Sequence, residues 1–137
     1  MSLRIRDAAL AVGLSADTLR FYEKIRLLPP AARGAGGHRA YGGKDIARLR
    51  FVRRAQGLGF TLAEIRQLLR FRENPARCSQ NVRRLAQRKC ESLAATREVV
   101  EMMHRELALL LDLCAGQGDH CPIIEHLESG DRAAARG

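Results

Sequence analysis

Three of the four cysteines in the chain stand where thiol chemistry is plausible. Cys114 and Cys121 flank the Gly-rich segment of DLCAGQGDHCPII, and Cys78 lies far upstream. In a reducing compartment, structural disulfides are rare, and clustered thiols more often bind a metal ion or undergo redox exchange. The cysteine positions therefore predict a soft-metal site or a redox site, and the elements between them decide whether the thiols can meet.

All of the net positive charge lies in the first half of the chain. Residues 1–77 contain 16 Lys and Arg against 6 Asp and Glu, whereas residues 78–137 contain 8 against 9. Most of these cations are arginine, whose planar guanidinium suits bidentate contacts to phosphate and guanine. This asymmetry predicts a nucleic-acid-binding half joined to a partner or sensor half. A merely solvated basic surface is the alternative.

Local signals in the first half predict four helices and one hairpin. Apolar spacing indicates a helix in RIRDAALAV, and Ser15 is a good N-cap for a second helix, SADTLRFYEKIRLL, which we expect to end at Pro29-Pro30. Two short helices joined by a Gly turn outline a helix-turn-helix. A third helix is predicted over residues 44–56, and Thr61 with Glu64 predicts a capping box for a fourth. The Gly-rich AARGAGGHRAY between them predicts a small β-hairpin, the wing, that presents Arg33, His38, Arg39 and Tyr41.

A single long helix is predicted from Ser79 to Cys114, where no Pro or Gly interrupts the chain. Apolar positions recur every seven residues, which is the repeat of a supercoiled pair of helices. The two rows are Leu93, Val100, Leu107, Cys114 and Thr96, Met103, Leu110. Because the chain offers no second helix of this length, we expect the partner to be another copy, in a homodimer.

The sequence motifs resemble the MerR family of bacterial transcription regulators. The resemblance lies in TLRFYEKIRLLPP, RGAGGHRAY and GFTLAEIRQLL, in that order and spacing, and it covers essentially the whole chain. Arg26 departs from it, since a Gly is usual there, and so does His38. The implied fold is all-α with a small β wing: an N-terminal winged helix-turn-helix followed by a long antiparallel coiled-coil dimerisation helix.

The resemblance also implies a domain layout. Residues 1–75 would form the DNA-binding domain and residues 76–115 the dimerisation helix. Residues 114–130 would form a metal-binding loop with a short helix, and residues 131–137 a flexible tail. With no apolar run of 18 residues and no signal-peptide pattern, we expect a cytoplasmic protein without membrane contact. No nucleophile–base pair or Gly-rich phosphate loop is present, so an enzyme is not expected.

By position, the resemblance places the second helix in the major groove of double-stranded promoter DNA. Thr18, Arg20 and Tyr22 would then face DNA, although core packing is an equal reading for Tyr22. Phosphate contacts are expected from the wing and from the third helix, at Arg33, His38, Arg39, Tyr41 and Arg54. Members of the family bind palindromic promoters and distort the DNA when an effector binds, so that RNA polymerase can use the promoter. Such a distortion of the DNA costs a few kcal/mol.

Cys78 can meet the other two thiols only between chains. A helix over residues 79–114 spans roughly 50 Å at 1.5 Å per residue, so Cys78 cannot reach Cys114 of its own chain. In an antiparallel dimer, Cys78 of one chain would lie beside Cys114 and Cys121 of the other. Three thiolates suit a soft cation, and zinc would take a fourth ligand, for which His120 is the candidate although such a histidine more often faces solvent.

The identity of the effector has three readings. In the family, a cysteine at the start of the dimerisation helix resembles the divalent-metal sensors, and three thiolates with Cd(II), Pb(II), Zn(II) or Hg(II) leave a net charge of −1. The same charge results from Cu(I) or Ag(I) on Cys114 and Cys121 only, which is the alternative. A thiol redox sensor with a Cys114–Cys121 disulfide is the third. Cys90 is expected to be a packing residue.

Overall fold

The computed structural model describes residues 2–34, 36–74, 79–114, 116 and 118–135. Within these ranges the fold is mainly helical with one small sheet, as the sequence predicts. Residues 1–89 form an N-terminal unit and residues 90–137 a C-terminal unit. The elements are α1 Ile5–Val12, α2 Ala16–Lys24, β1 Ala32–Arg33, β2 Arg39–Ala40, α3 Gly43–Gly57, α4 Leu62–Glu73, α5 Ser79–Leu113 and α6 Pro122–Ala135.

Helices α1 and α2 form the predicted helix-turn-helix. α1 ends at Gly13, which adopts the left-handed conformation (φ 71°), and the N–H of Leu14 returns to Ala9 O at 2.9 Å. α2 starts at the predicted cap, because Ser15 Oγ accepts the N–H of Thr18 at 3.1 Å. The turn between the helices is therefore closed by local backbone and capping bonds.

The second helix is shorter than predicted. It ends at Lys24, and Arg26 has a positive φ of 60°. Leu27 and Leu28 leave the helix and are buried, with both N–H groups directed at Tyr22 O. The Gly that is usual at position 26 in the resembled family suits this conformation, since a left-handed backbone costs about 1–2 kcal/mol in other residues.

The wing is a two-stranded antiparallel hairpin in which Ala32 pairs with Ala40 and Arg33 with Arg39. The N–H of Gly34 donates to His38 O at 2.7 Å across the turn. An isolated bridge between Leu3 and Tyr41 attaches the segment before α1 to the strand that follows the turn. The hairpin is thereby joined to the start of the chain.

Helices α3 and α4 pack with the helix-turn-helix around a shared core. The N-terminus of α4 has the predicted capping box, in which Glu64 accepts the N–H of Thr61 at 2.8 Å and Thr61 accepts the N–H of Glu64 at 3.2 Å. The N–H of Thr61 and the ammonium of Lys89 hold the pKa of Glu64 below its usual range. One core unites these helices with α1, α2 and the wing, through Ala8, Ala9, Val12, Leu19, Tyr22, Leu27, Leu28, Tyr41, Leu49, Val52, Ala55, Ile65 and Leu69.

The long helix α5 follows the predicted course from Ser79 to Leu113. Its first turns belong to the N-terminal unit, where Leu85 is buried, so the compact unit extends beyond the predicted boundary at residue 75. From residue 90 onward, α5 exposes a series of large apolar side chains: Leu93, Val99, Val100, Met102, Met103, Leu107, Leu109, Leu111 and Leu113.

Helix α6 is longer than the short helix expected after the cysteine loop. It runs to Ala135, so residues 131–135, which we expected in a flexible tail, continue the helix. His126 on α6 lies 2.5 Å from Glu106 on α5. No helix in the described part of the chain is long and apolar enough to cross a membrane.

Substitutions at Gly13 and Arg26, which both have a positive φ, are expected to change the free energy of unfolding in opposite directions. We expect Gly13→Ala to lower the free energy of unfolding by about 1–2 kcal/mol, because an L-residue is strained at this φ and its Cβ would collide with the guanidinium of Arg53. We expect Arg26→Gly to raise it by up to about 1 kcal/mol by relieving the same strain. Urea unfolding of the three proteins measures both changes, and a shift in the same direction for both would contradict this assignment.

Candidate nucleic-acid interface and thiol site

A basic recess of about 410 Å³ lies between the start of α1, the second helix and the wing. It contains four of the predicted DNA-contacting side chains: Arg20, Arg33, His38 and Arg39. Arg4 and Arg6 line it as well, and they were missed from the sequence. Nothing in the local pattern distinguishes these two arginines; the Leu3–Tyr41 bridge is what brings the start of the chain beside the wing.

Cations in the recess are held by short contacts. Arg20 pairs with Asp17 one turn earlier at 2.7 Å, on an exposed face of α2. Arg33 donates to the carbonyl of Gly37 at 2.7 Å, across the wing turn. Both contacts lie at an exposed surface, and both guanidinium groups retain further N–H donors for a phosphate.

Two other predicted contacts lie outside this recess. Thr18 is half-buried, and its hydroxyl is 2.8 Å from that of Ser15, in the cap of α2. Arg54 is exposed on α3 and lines a different, mainly apolar pocket of about 840 Å³. The structure therefore does not group Arg54 with the arginines of α2 and the wing.

Both tyrosines lie in the core. Tyr22 is 3 % exposed and donates its hydroxyl to Gln56 at 3.0 Å, which favours the packing interpretation. Tyr41 is 1 % exposed and donates to Glu23 at 2.8 Å, which does not support a phosphate contact from this hydroxyl. Burial, together with the neighbouring Glu23, raises the pKa of Tyr41 to about 12, so the hydroxyl remains a donor at neutral pH.

Three arginines of α3 and α4 cap backbone carbonyls of the helix-turn-helix. Arg53 donates to Val12 O at 2.6 Å and to Gly13 O, at the end of α1. Arg48 donates to Leu27 O at 3.0 Å, and Arg66 donates to Ile25 O at 2.6 Å, both after the end of α2. Part of the basic charge that indicated phosphate binding therefore stabilises the motif itself, by satisfying helix C-terminal carbonyls.

Two of the described thiols lie at the two ends of the loop between α5 and α6. Cys114 follows the last residue of α5, and Cys121 precedes Pro122, the first residue of α6. Both are half-buried and free of disulfides. The carbonyl of Cys121 accepts the N–H of Glu125 at 2.9 Å, so Cys121 caps α6, where the helix dipole favours negative charge.

The other candidate ligands are not grouped with these thiols. Cys78 lies outside the described residues. The side chain of His120 is 91 % exposed and contacts Glu125 at 2.7 Å. Cys90, expected to be a packing residue, is exposed on α5. Across residues 2–74 and 79–135, as far as they are described, no cluster of three or more Cys, His, Asp or Glu could hold a metal ion.

A helix-turn-helix with a wing and a basic recess between them defines a DNA-binding protein of the winged helix-turn-helix class. The chain belongs to the MerR family: residues 3–72 match the model of the MerR helix-turn-helix regulatory proteins. Residues 46–110 match a second model, described as MerR, DNA binding. The protein is accordingly a DNA-binding transcriptional regulator.

Relatives of known name or structure match nearly the full chain. Heavy metal-dependent transcription regulator 2 of Rhizobium meliloti (strain 1021) is 36 % identical over 129 residues, which cover 93 % of this chain and 88 % of that protein. The transcription regulator PbrR691 from Ralstonia metallidurans CH34, solved in complex with lead(II), is 32 % identical with a TM-score of 0.73, covering 91 % and 98 %. The dual-function regulator MerR of Bacillus megaterium MB1, solved with mercury(II), is 31 % identical with a TM-score of 0.64, covering 88 % and 94 %.

Proposed function

We propose that this protein is a metal-responsive regulator that binds a palindromic promoter as a homodimer. A thiophilic divalent ion, of the set Cd, Pb, Zn and Hg, would switch the dimer to a state that distorts the DNA and lets RNA polymerase start transcription. The observation that carries the proposal is the pairing of a basic winged helix-turn-helix with a two-cysteine loop at the far end of α5.

DNA binding by the basic recess is supported by its charge and its position. Side chains from α1, α2 and the wing converge there, and guanidinium groups are the strongest phosphate donors among side chains. We assign Arg4, Arg6, Arg33, His38 and Arg39 to the DNA backbone and Arg20 to the major groove. Thr18 would assist through the N-terminus of α2, and Arg54 would add a contact from α3.

Dimerisation is supported by the apolar surface of α5. Exposed leucine, valine and methionine side chains follow the C-terminal part of this helix, and few contacts within a chain cover them. A contiguous apolar surface of this kind marks a protein–protein interface. The seven-residue repeat suits an antiparallel pair of α5 helices, which would bring Cys78 of one subunit to the cysteine loop of the other.

A metal effector is supported by the thiols and by the relatives. The Rhizobium meliloti protein is named as heavy metal-dependent, and the two solved regulators hold lead(II) and mercury(II), which are soft divalent ions. We infer that Cys114, Cys121 and Cys78 of the partner subunit supply the ligands, with His120 as an additional ligand for zinc. His120 would have to leave Glu125 to serve.

A Cu(I) or Ag(I) sensor is the second candidate function. Its supporting observation is that Cys114 and Cys121 belong to one loop of one chain, and two thiolates suffice for a linear monovalent site. A thiol redox sensor of the same fold would use the same pair as a disulfide. Cys78 separates the divalent-metal sensor from the other two functions, since it is needed for a three-thiolate site only.

The test is transcription from the cognate promoter in vitro, with polymerase and a panel of Zn, Cd, Pb, Hg, Cu(I) and Ag(I). We expect divalent ions to raise transcription by a large factor while operator affinity changes by less than about tenfold, because the protein occupies DNA in both states. Operator affinity is measured in parallel by fluorescence anisotropy. Release from the operator on adding metal would indicate simple derepression, and a response confined to Cu(I) and Ag(I) would favour the second candidate.

A further inference from the structure

One carboxylate of the second helix contacts the wing through two side chains. Glu23, near the end of α2, accepts the hydroxyl of Tyr41 at 2.8 Å on one oxygen. Its other oxygen lies 3.1 Å from the guanidinium of Arg39 in β2. The side chain of Glu23 is only 10 % exposed, so both contacts lie in a partly desolvated position where they are stronger than at an open surface.

Tyr41 is itself held in place by backbone hydrogen bonds and by burial. Its backbone exchanges two hydrogen bonds of 2.8 Å with Leu3, and its ring is buried in the core. Glu23 therefore joins α2 to a residue that is already held by the start of the chain and by the wing. Leu3 in turn directly precedes Arg4, so the contact lies beside all three segments that form the basic recess.

The negative charge of Glu23 is unfavourable for DNA binding at this position. A carboxylate beside a phosphate-binding surface repels DNA, and long-range electrostatics alone favours its replacement by a neutral side chain. Glu23 contacts Arg39 of this surface directly. A structural benefit that exceeds this repulsion would explain an acidic residue here.

We propose that Glu23 is a positioning residue that fixes the wing relative to α2, so that Arg33, His38 and Arg39 reach the DNA backbone in register with Arg20. The inference rests on the proposed DNA-binding role of the basic recess. In DNA complexes, backbone contacts set the register in which the few base contacts are made. Release of the wing would therefore weaken binding to the operator more than binding to unrelated DNA.

The test compares Glu23→Gln with Asp17→Asn, a matched variant. Both remove one carboxylate from α2, but Asp17 is 93 % exposed and contacts only the neighbouring Arg20 among the ion pairs of the described residues. Anisotropy with operator DNA and with unrelated DNA gives both affinities. We expect Glu23→Gln to weaken operator binding about tenfold, with a smaller change for unrelated DNA, whereas Asp17→Asn tightens both slightly. Operator binding by Glu23→Gln that equals or exceeds the wild type would overturn the proposal.

Two further variants keep this test decisive. Tyr41→Phe removes one contact of Glu23 without changing charge, and we expect it to weaken operator binding in the same selective way. If Glu23→Gln lowers the melting temperature too far for the assay, Tyr41→Phe carries the test, and unchanged operator selectivity in it overturns the proposal. Arg20→Ala distinguishes failure of the positioning role from failure of the proposed DNA-binding surface. If Arg20→Ala weakens operator binding and Glu23→Gln does not, only the positioning role is overturned. If both variants bind the operator normally, the DNA-binding surface is overturned as well.

Discussion

Cys78→Ser is expected to abolish the response to divalent metal while leaving operator binding by the metal-free protein intact. Metal binding to structural zinc sites releases about 10–16 kcal/mol, so each of three or four ligands accounts for about 2.5–5 kcal/mol, and removal of one lowers affinity at least about 50-fold. Cys114→Ser and Cys121→Ser should act alike. Metal affinity is measured by competition with a chelator, and transcription in vitro gives the response.

Cys90→Ser is the matched control for these variants. Cys90 is exposed on α5, eleven residues beyond Ser79 and roughly 16 Å along the helix, so we do not expect it to share a site with Cys78. We expect no change in metal affinity or transcription. If Cys78→Ser instead preserved the Cu(I) response and no divalent response existed in the wild type, the two-thiolate sensor would be the correct function.

A mixed dimer tests whether the ligands come from both subunits. One subunit carries only Cys78→Ser, and the other carries Cys114→Ser and Cys121→Ser. Crossed ligation leaves one complete site, built from the loop of the first subunit and Cys78 of the second, so we expect one tight metal ion per dimer. Ligation within a chain leaves no complete site, and a heterodimer that binds no divalent ion tightly would refute the antiparallel arrangement.

Operator affinity is expected to fall by a factor of at least about 10³ between 50 and 200 mM salt, the change typical of six or more phosphate contacts. Five arginines line the basic recess of each chain, and a dimer would present two such recesses. Counterions released from the neutralised phosphates cause this dependence. The slope of log affinity against log salt concentration, measured by anisotropy, gives the number of contacts.

Arg20→Ala tests whether the basic recess is the surface that binds the operator. We expect a cost of about 1–3 kcal/mol in operator binding, with a smaller salt slope, because Arg20 lies in the recess on the exposed face of α2. Arg88→Ala is the control: Arg88 is exposed on α5 and lines a different recess with Arg70 and Arg84. It changes net charge equally, but screening limits its effect to about twofold at 0.15 M salt. Equal losses in both variants would assign the binding to overall charge rather than to this surface.

The order and type of the elements could be predicted from the sequence because their signals are local. Ser15 and Thr61 cap their helices through bonds to residues three positions away, and the Gly-rich segment forms the wing as expected. The course of α5 follows from its uninterrupted apolar repeat. Placement of most predicted DNA-binding side chains on α2 and the wing depended on the same local motifs.

Only the tertiary structure decided which polar side chains face outward and which ones stabilise the fold. Arg53 and Arg66 contact carbonyls 41 residues away along the chain, and Tyr41 reaches Glu23 across 18 residues. The partners in these contacts have no fixed spacing along the chain. The sequence alone therefore does not distinguish an arginine that caps a helix from an arginine that binds phosphate. The early end of α2 has the same origin, because burial of Leu27 and Leu28 and capping by Arg66 outweigh the strain at Arg26.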